Sequence, residues 1–155
     1  MPTSKQLATH LQQVYFGGNW TDVNFKDTLS GIDFDTAKQQ LEGFNSILAL
    51  TFHIHYFIKG VTNVFKGGAL EIRDKYSFDH PELTSEKEWN DFKEQLWQEA
   101  EEFIDLLSNF PNEKLDDDFT DAKYGDYGKN MLGLIEHTHY HLGQIVILNK
   151  MIKKG

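Results

Sequence analysis

Glu136-His137-Thr138-His139-Tyr140-His141-Leu142-Gly143-Gln144-Ile145 holds three of the chain's seven histidines within five residues. The stretch lies in an apolar-periodic run from Met131 to Ile152 with no proline and only two glycines. That run predicts one long helix, from about Asn130 to Lys153. Residues four apart sit about 40° apart on a helix, so His137 and His141 project side by side, one turn apart. His139 falls about 200° round from His137 and points elsewhere. H-x-x-x-H on a helix is a familiar way of presenting two imidazoles to one metal ion. Outward from this stretch, the rest of the chain is read for a third ligand, a scaffold and a pocket.

The second helix offers the third ligand. Asn45 and Ser46 are caps for a run from Ile47 to about Lys66, closed by Gly67-Gly68. Ile47, Leu50, Ile54, Phe57, Ile58, Val61, Val64 and Phe65 form its apolar side. Thr51, His55, Lys59, Thr62 and Lys66 form a polar side, which places His55 outward. His53 lies at i+3 from Leu50 and i−4 from Phe57 and faces inward.

Two further helices complete the pattern. Thr3 or Ser4 caps a run from about Lys5 to Phe16, with Leu7, Leu11, Val14 and Tyr15 as its stripe and Gly17-Gly18 as its end. His10 falls on its outer side. In the following loop, Trp20 is read as an anchor pinned to the core. A short helical piece opens at Asp35 or Thr36 and runs through Ala37 to Leu41. Ser85-Glu86-Lys87-Glu88 reads as a capping box. Trp89, Phe92, Leu96, Ala100, Phe103, Ile104 and Leu107 follow it at helical spacing. The acids of this third long helix, Glu94, Glu99, Glu101, Glu102 and Asp105, read as a solvated face. The expected fold is therefore all-α, a four-helix bundle in one domain spanning 1–155, with long loops between helices 2 and 3 and between helices 3 and 4.

Totals exclude several functions. The chain has 155 residues, 39% of them hydrophobic, and no apolar run of membrane-spanning length. Its start carries no apolar signal segment, so a cytoplasmic protein is expected. With no cysteine there is no disulfide, no thiolate ligand and no cysteine nucleophile. A formal net charge of −9 repels nucleic acid phosphates and anionic lipid, so neither is expected as a partner. Aromatic content of 14% suggests rings lining a pocket or interface as well as the core. Asp116-Asp117-Asp118 does not match the spacing of an EF-hand loop. The connection from Ala69 to Leu83 is long enough for a lid, or for a segment wrapped over the bundle. His80, ahead of Pro81 within it, reads as a surface turn residue.

Three inward histidines on two helices each need partners for both ring nitrogens, and a shared ion satisfies all three. A buried network of His, Tyr and Thr is the competing reading. His137-x-x-x-His141-Leu142-Gly143-Gln144-Ile145, together with Phe52-His53-Ile54, resembles the DinB-like superfamily. So do Phe16-Gly17-Gly18-Asn19-Trp20, Gly67-Gly68 and Asp74-Lys75-Tyr76-Ser77-Phe78-Asp79, which look like its small DUF1572-like branch. Leu142 stands where members commonly carry arginine. The resemblance implies a four-helix bundle holding a divalent metal on His53, His137 and His141, with zinc or nickel first and iron or copper next. It also implies a metal-dependent enzyme, such as a thiol S-transferase or a hydrolase, whose small-molecule partner is a low-molecular-weight thiol. A non-catalytic metal-binding or stress-response module is the alternative, and a homodimer is left open. Arg73 and Tyr76, on the long connection, are the candidates for catalytic and substrate-positioning roles, and Gln144 for a partner of the ligand shell.

Overall fold

Each long helix begins where a short polar side chain takes up an otherwise orphaned backbone N–H. The computed structural model describes residues 2–155. Thr3 accepts from the Gln6 N–H and Gln6 returns the bond, opening α1 (Ser4–Phe16). Asn24 and Asp33 cap the short α2 (Phe25–Ser30) and α3 (Phe34–Lys38). Ser46 caps α4 (Ile47–Phe65), Ser85 caps α5 (Glu86–Ser108) and Asp126 caps α6 (Tyr127–Lys154). The expected box at Ser85 is displaced by one residue. Glu88 reaches past Ser85 to the backbone and hydroxyl of Thr84. Among the described residues there is no strand, only an isolated antiparallel bridge between Asp118 and Asp126.

The four long helices close an all-α bundle. α1 packs on α5 and α6, and α4 packs on the same two helices, so α1 and α4 occupy one diagonal. Leu7, Leu11, Ile54, Ile58, Leu96, Phe103 and Ile145 meet in a fully buried core. No helix is long and apolar enough to cross a membrane.

The aromatic residues fill the two ends of the core. Tyr15, Phe25 and Trp97 pack edge to face, with centroids 5.4 Å (Tyr15–Phe25) and 5.6 Å (Phe25–Trp97) apart. Phe65, Phe103, Phe110, Phe119 and Tyr127 form a second cluster. Trp20 is not the anchor expected: its side chain is 100% exposed. The Asn19 amide holds the loop instead, bonding the carbonyls of Gln13 and Val23, and Phe25, opening the unforeseen α2, enters the core. Phe25→Ala should therefore cost about 3–5 kcal/mol. Trp20→Ala should stay within about 0.5 kcal/mol. Urea melts of the two variants check both values.

α4 also departs from expectation. Of its supposed polar side, Thr51, His55 and Thr62 are buried, while Lys59 and Lys66 are exposed as expected. The threonine hydroxyls donate to their own helix, at Ile47 O (2.8 Å) and Ile58 O (2.7 Å). His55 Nε2 meets the Glu99 carboxylate of α5, so His55 is not outward and Glu99 is not simply solvated. The stripe fits the interior because both threonine hydroxyls and His55 Nε2 have partners within their own helix or the next, although His55 Nδ1 is buried without one. α3 is capped by Asp33 and ends at Lys38, earlier at both ends than its sequence reading. α6 starts at Tyr127 because Asp126 supplies the cap, and Gly128 is buried in its first turn.

Candidate metal centre

α4 and α6 are packed neighbours, and their facing sides carry His53, His137 and His141. His53 and His141 are buried and His137 is half-buried. One nitrogen from each ring lies within 4.8 Å of the other two. The ring centroids are 4.9 Å (His53–His137), 4.6 Å (His53–His141) and 4.5 Å (His137–His141) apart. Among the described residues, these three side chains are the group able to hold an ion, with no acid joining them.

The hydrogen bonds decide which nitrogens face inward. His53 Nδ1 donates to the Ser77 carbonyl at 3.3 Å, and His141 Nδ1 donates to Gln144 Oε1 at 2.7 Å. An imidazole whose Nδ1 carries the proton presents a lone pair at Nε2. His53 Nε2 and His137 Nε2 approach to 3.0 Å. The fit to a divalent ion is good: three neutral nitrogen donors converge, and two are oriented by acceptors behind them. His137 Nδ1 is buried without a partner, and Phe57 packs edge-on against that ring at 4.9 Å.

The surroundings keep these rings neutral. Burial pushes the pKa of all three below the ordinary 6.5, most strongly for His137, which falls to about 4. After burial, His141 opposes protonation of both other rings, and His53 opposes that of His137. Neutral imidazole is the form that binds metal. A depressed histidine pKa also sets the sign of acid stability. Below about 6.5 the unfolded chain takes up protons that the folded one refuses, so metal-free protein loses stability as pH falls from about 6.5 to about 4. Glu99, held down to about 2 chiefly by its bond to His55, adds a further loss between about 4.5 and 2. Melting temperatures across that range should show both stages, and His55→Ala should weaken only the lower one.

The connection between α4 and α5 is laid along α4 and completes the site. Asn63 donates to the Ala69 carbonyl (2.7 Å), and Ile72 packs onto Gly60. The Tyr56 hydroxyl accepts from the Arg73 N–H (2.8 Å) and donates to its carbonyl (3.1 Å). Phe78 stacks on His53 with centroids 4.0 Å apart. Of the loop residues singled out from sequence, Arg73 lines a cleft of about 620 Å³ whose wall includes His137. Tyr76 is 45% exposed, with the Lys75 ammonium 4.5 Å over its ring. Ser77, which acts through its backbone carbonyl, and Phe78 stand in the Asp74–Asp79 stretch that carries the resemblance, but helical periodicity gave neither a role. Gln144 takes its expected place behind His141.

The model of the DinB family matches residues 1–151. The chain belongs to the DinB family. No curated protein and no solved structure matches it. Within this DinB chain, Leu142, just ahead of Gly143-Gln144, is 2% exposed and part of the core. His139 and His55, the histidines nearest in sequence to the three, lie outside the group. His139 is pushed down in pKa by burial and then by His10, a residue of α1.

Proposed function

We propose that the chain is a divalent-metal-dependent enzyme that activates a thiol or water for attack on a small electrophile. The observation that carries this reading is the convergence of three neutral ring nitrogens with no acid among them, beside a cleft that shares His137. Three protein ligands are the number found in catalytic zinc sites, whereas closed structural sites have four. A divalent ion on His53, His137 and His141 would keep its full charge and supply Lewis acidity, lowering the pKa of a thiol or water. Zinc or nickel suits imidazole donors, as do iron and copper.

The chain's own residues do the rest. Ser77 and Gln144 hold His53 and His141 in the tautomer that faces inward. Phe57 packs against His53 and His137, and Phe78 stacks on His53, so the two rings steady those imidazoles. Arg73 pairs with an anionic group of the substrate or cosubstrate, and Tyr76 is the candidate proton donor to a leaving group. With no cysteine in the chain, a low-molecular-weight thiol would bring the sulfur. The net charge of −9 speaks against nucleic acid or anionic membrane as the target. A metal-binding module without turnover is the alternative, and a fourth protein ligand would favour it.

The test is a panel of small thiols, and water alone, against a chromogenic electrophile. Metal-free, zinc-loaded and nickel-loaded protein are compared. A metal-dependent rate above background that His141→Ala removes is expected. No such rate across the panel would favour the module.

A further inference from the structure

The 620 Å³ cleft that shares His137 has a chemistry of its own. Phe57, Val61, Leu70, Ile72, Phe119 and Leu134 give it apolar walls. Arg73 and Lys129 stand among them, and Asp74 is the acid present. Arg73 is the chain's single arginine, in a protein with 24 acidic and 15 basic residues. Among the described residues, neither Arg73 nor Lys129 makes an ion pair, so both side chains are available to a ligand. The backbone of Arg73 is clamped by the Tyr56 hydroxyl and by Ile72 on Gly60, so the arginine is presented from a fixed point. Gly133, one turn before His137, completes the wall. A Cβ placed there would meet nothing within 4 Å, so the cleft reaches the helix backbone.

We propose that this cleft binds an amphipathic organic anion, an apolar body carrying a carboxylate or similar acid group that pairs with Arg73 and Lys129. The volume is in the range of small-molecule sites, and apolar walls with a few charged groups are how such sites combine affinity with orientation. Arg73 and Lys129 outnumber Asp74 in the lining, so the cleft carries a local positive excess in a chain of net charge −9. The proposal deepens the enzymatic reading by naming the class of substrate, since the cleft shares His137 with the metal centre.

The probes are octanoate and its cationic counterpart octylammonium, titrated into isotope-labelled protein and followed by NMR, with and without one equivalent of zinc. Octanoate should shift amides around Leu70, Phe119 and Gly133 saturably, and octylammonium should not, although overall charge favours the cation. Arg73→Gln with Lys129→Gln should weaken octanoate about tenfold. Gly133→Leu fills the open space with a better helix former. It should abolish the shifts while the melting temperature and metal content hold. Equal binding of the two probes, or unchanged octanoate affinity in Gly133→Leu, would overturn the proposal. The two readings separate cleanly. Octanoate binding without zinc binding would sink the metal centre and leave the cleft standing. Zinc binding without octanoate binding would do the reverse.

Discussion

His53→Ala, His137→Ala and His141→Ala should each lower metal affinity by at least about 100-fold. Loss of a residue behind a ligand already costs about 10–100-fold, and these changes remove the ligand itself. Removing one of three donors leaves a two-nitrogen site that water must complete. His55→Ala and His139→Ala should change affinity by no more than about threefold. His55 faces α5 and Glu99, and His139 lies toward His10, so neither ring belongs to the group of three. Elemental analysis of the five purified variants, after dialysis against one metal concentration, separates these sets. Metal loss in His139→Ala equal to that in His137→Ala would mean that the ring assignment along α6 is wrong.

Gly60→Ala should be the most damaging single-atom change on the connection. A Cβ at position 60 would lie 2.0 Å from Ile72 Cγ2 and 3.1 Å from its Cβ, with helix backbone behind it. Ile72 must move, and it carries Arg73 on one side and leads to Ser77 on the other. The expected cost is about 1–3 kcal/mol, the usual range for overpacking a fitted contact. Affinity for metal should fall as well, because the Ser77 carbonyl that orients His53 would shift, at about 10-fold. Ile72→Ala on the Gly60→Ala background should restore part of both, since it removes the colliding methyls. Melting temperature and zinc affinity for the single and double variants provide the check. A stable, fully metal-binding Gly60→Ala would show that the connection does not depend on this contact.

What could be read in the sequence follows from where the information is local. Heptad-like spacing from Met131 to Ile152, and the caps Thr3, Ser46 and Ser85, are local, and they located all four long helices. The inward phase of His53, His137 and His141 follows from the same period, and the three rings meet. Periodicity could not tell a polar stripe facing water from one facing another helix. His55 and Glu99 were both read as solvated for that reason, although each stands opposite the other across the α4–α5 contact. Trp20 misled because size suggests burial, whereas the loop is fixed by an asparagine side chain bonding backbone carbonyls. The connection after α4 was legible as unusual in length but not in path. Its path is set by a missing side chain at Gly60 and a backbone carbonyl at Ser77, neither of which leaves a pattern.

The most direct measurement is of the histidine ring nitrogens by NMR, in protein labelled with nitrogen-15 and titrated with zinc. At one equivalent, the Nε2 resonances of His53, His137 and His141 should shift together. Nδ1 of His53 and His141 should remain protonated, and His55 and His139 should not respond. Saturation without movement of these three Nε2 signals, or with His55 or His139 among the responding rings, would contradict a centre built on His53, His137 and His141.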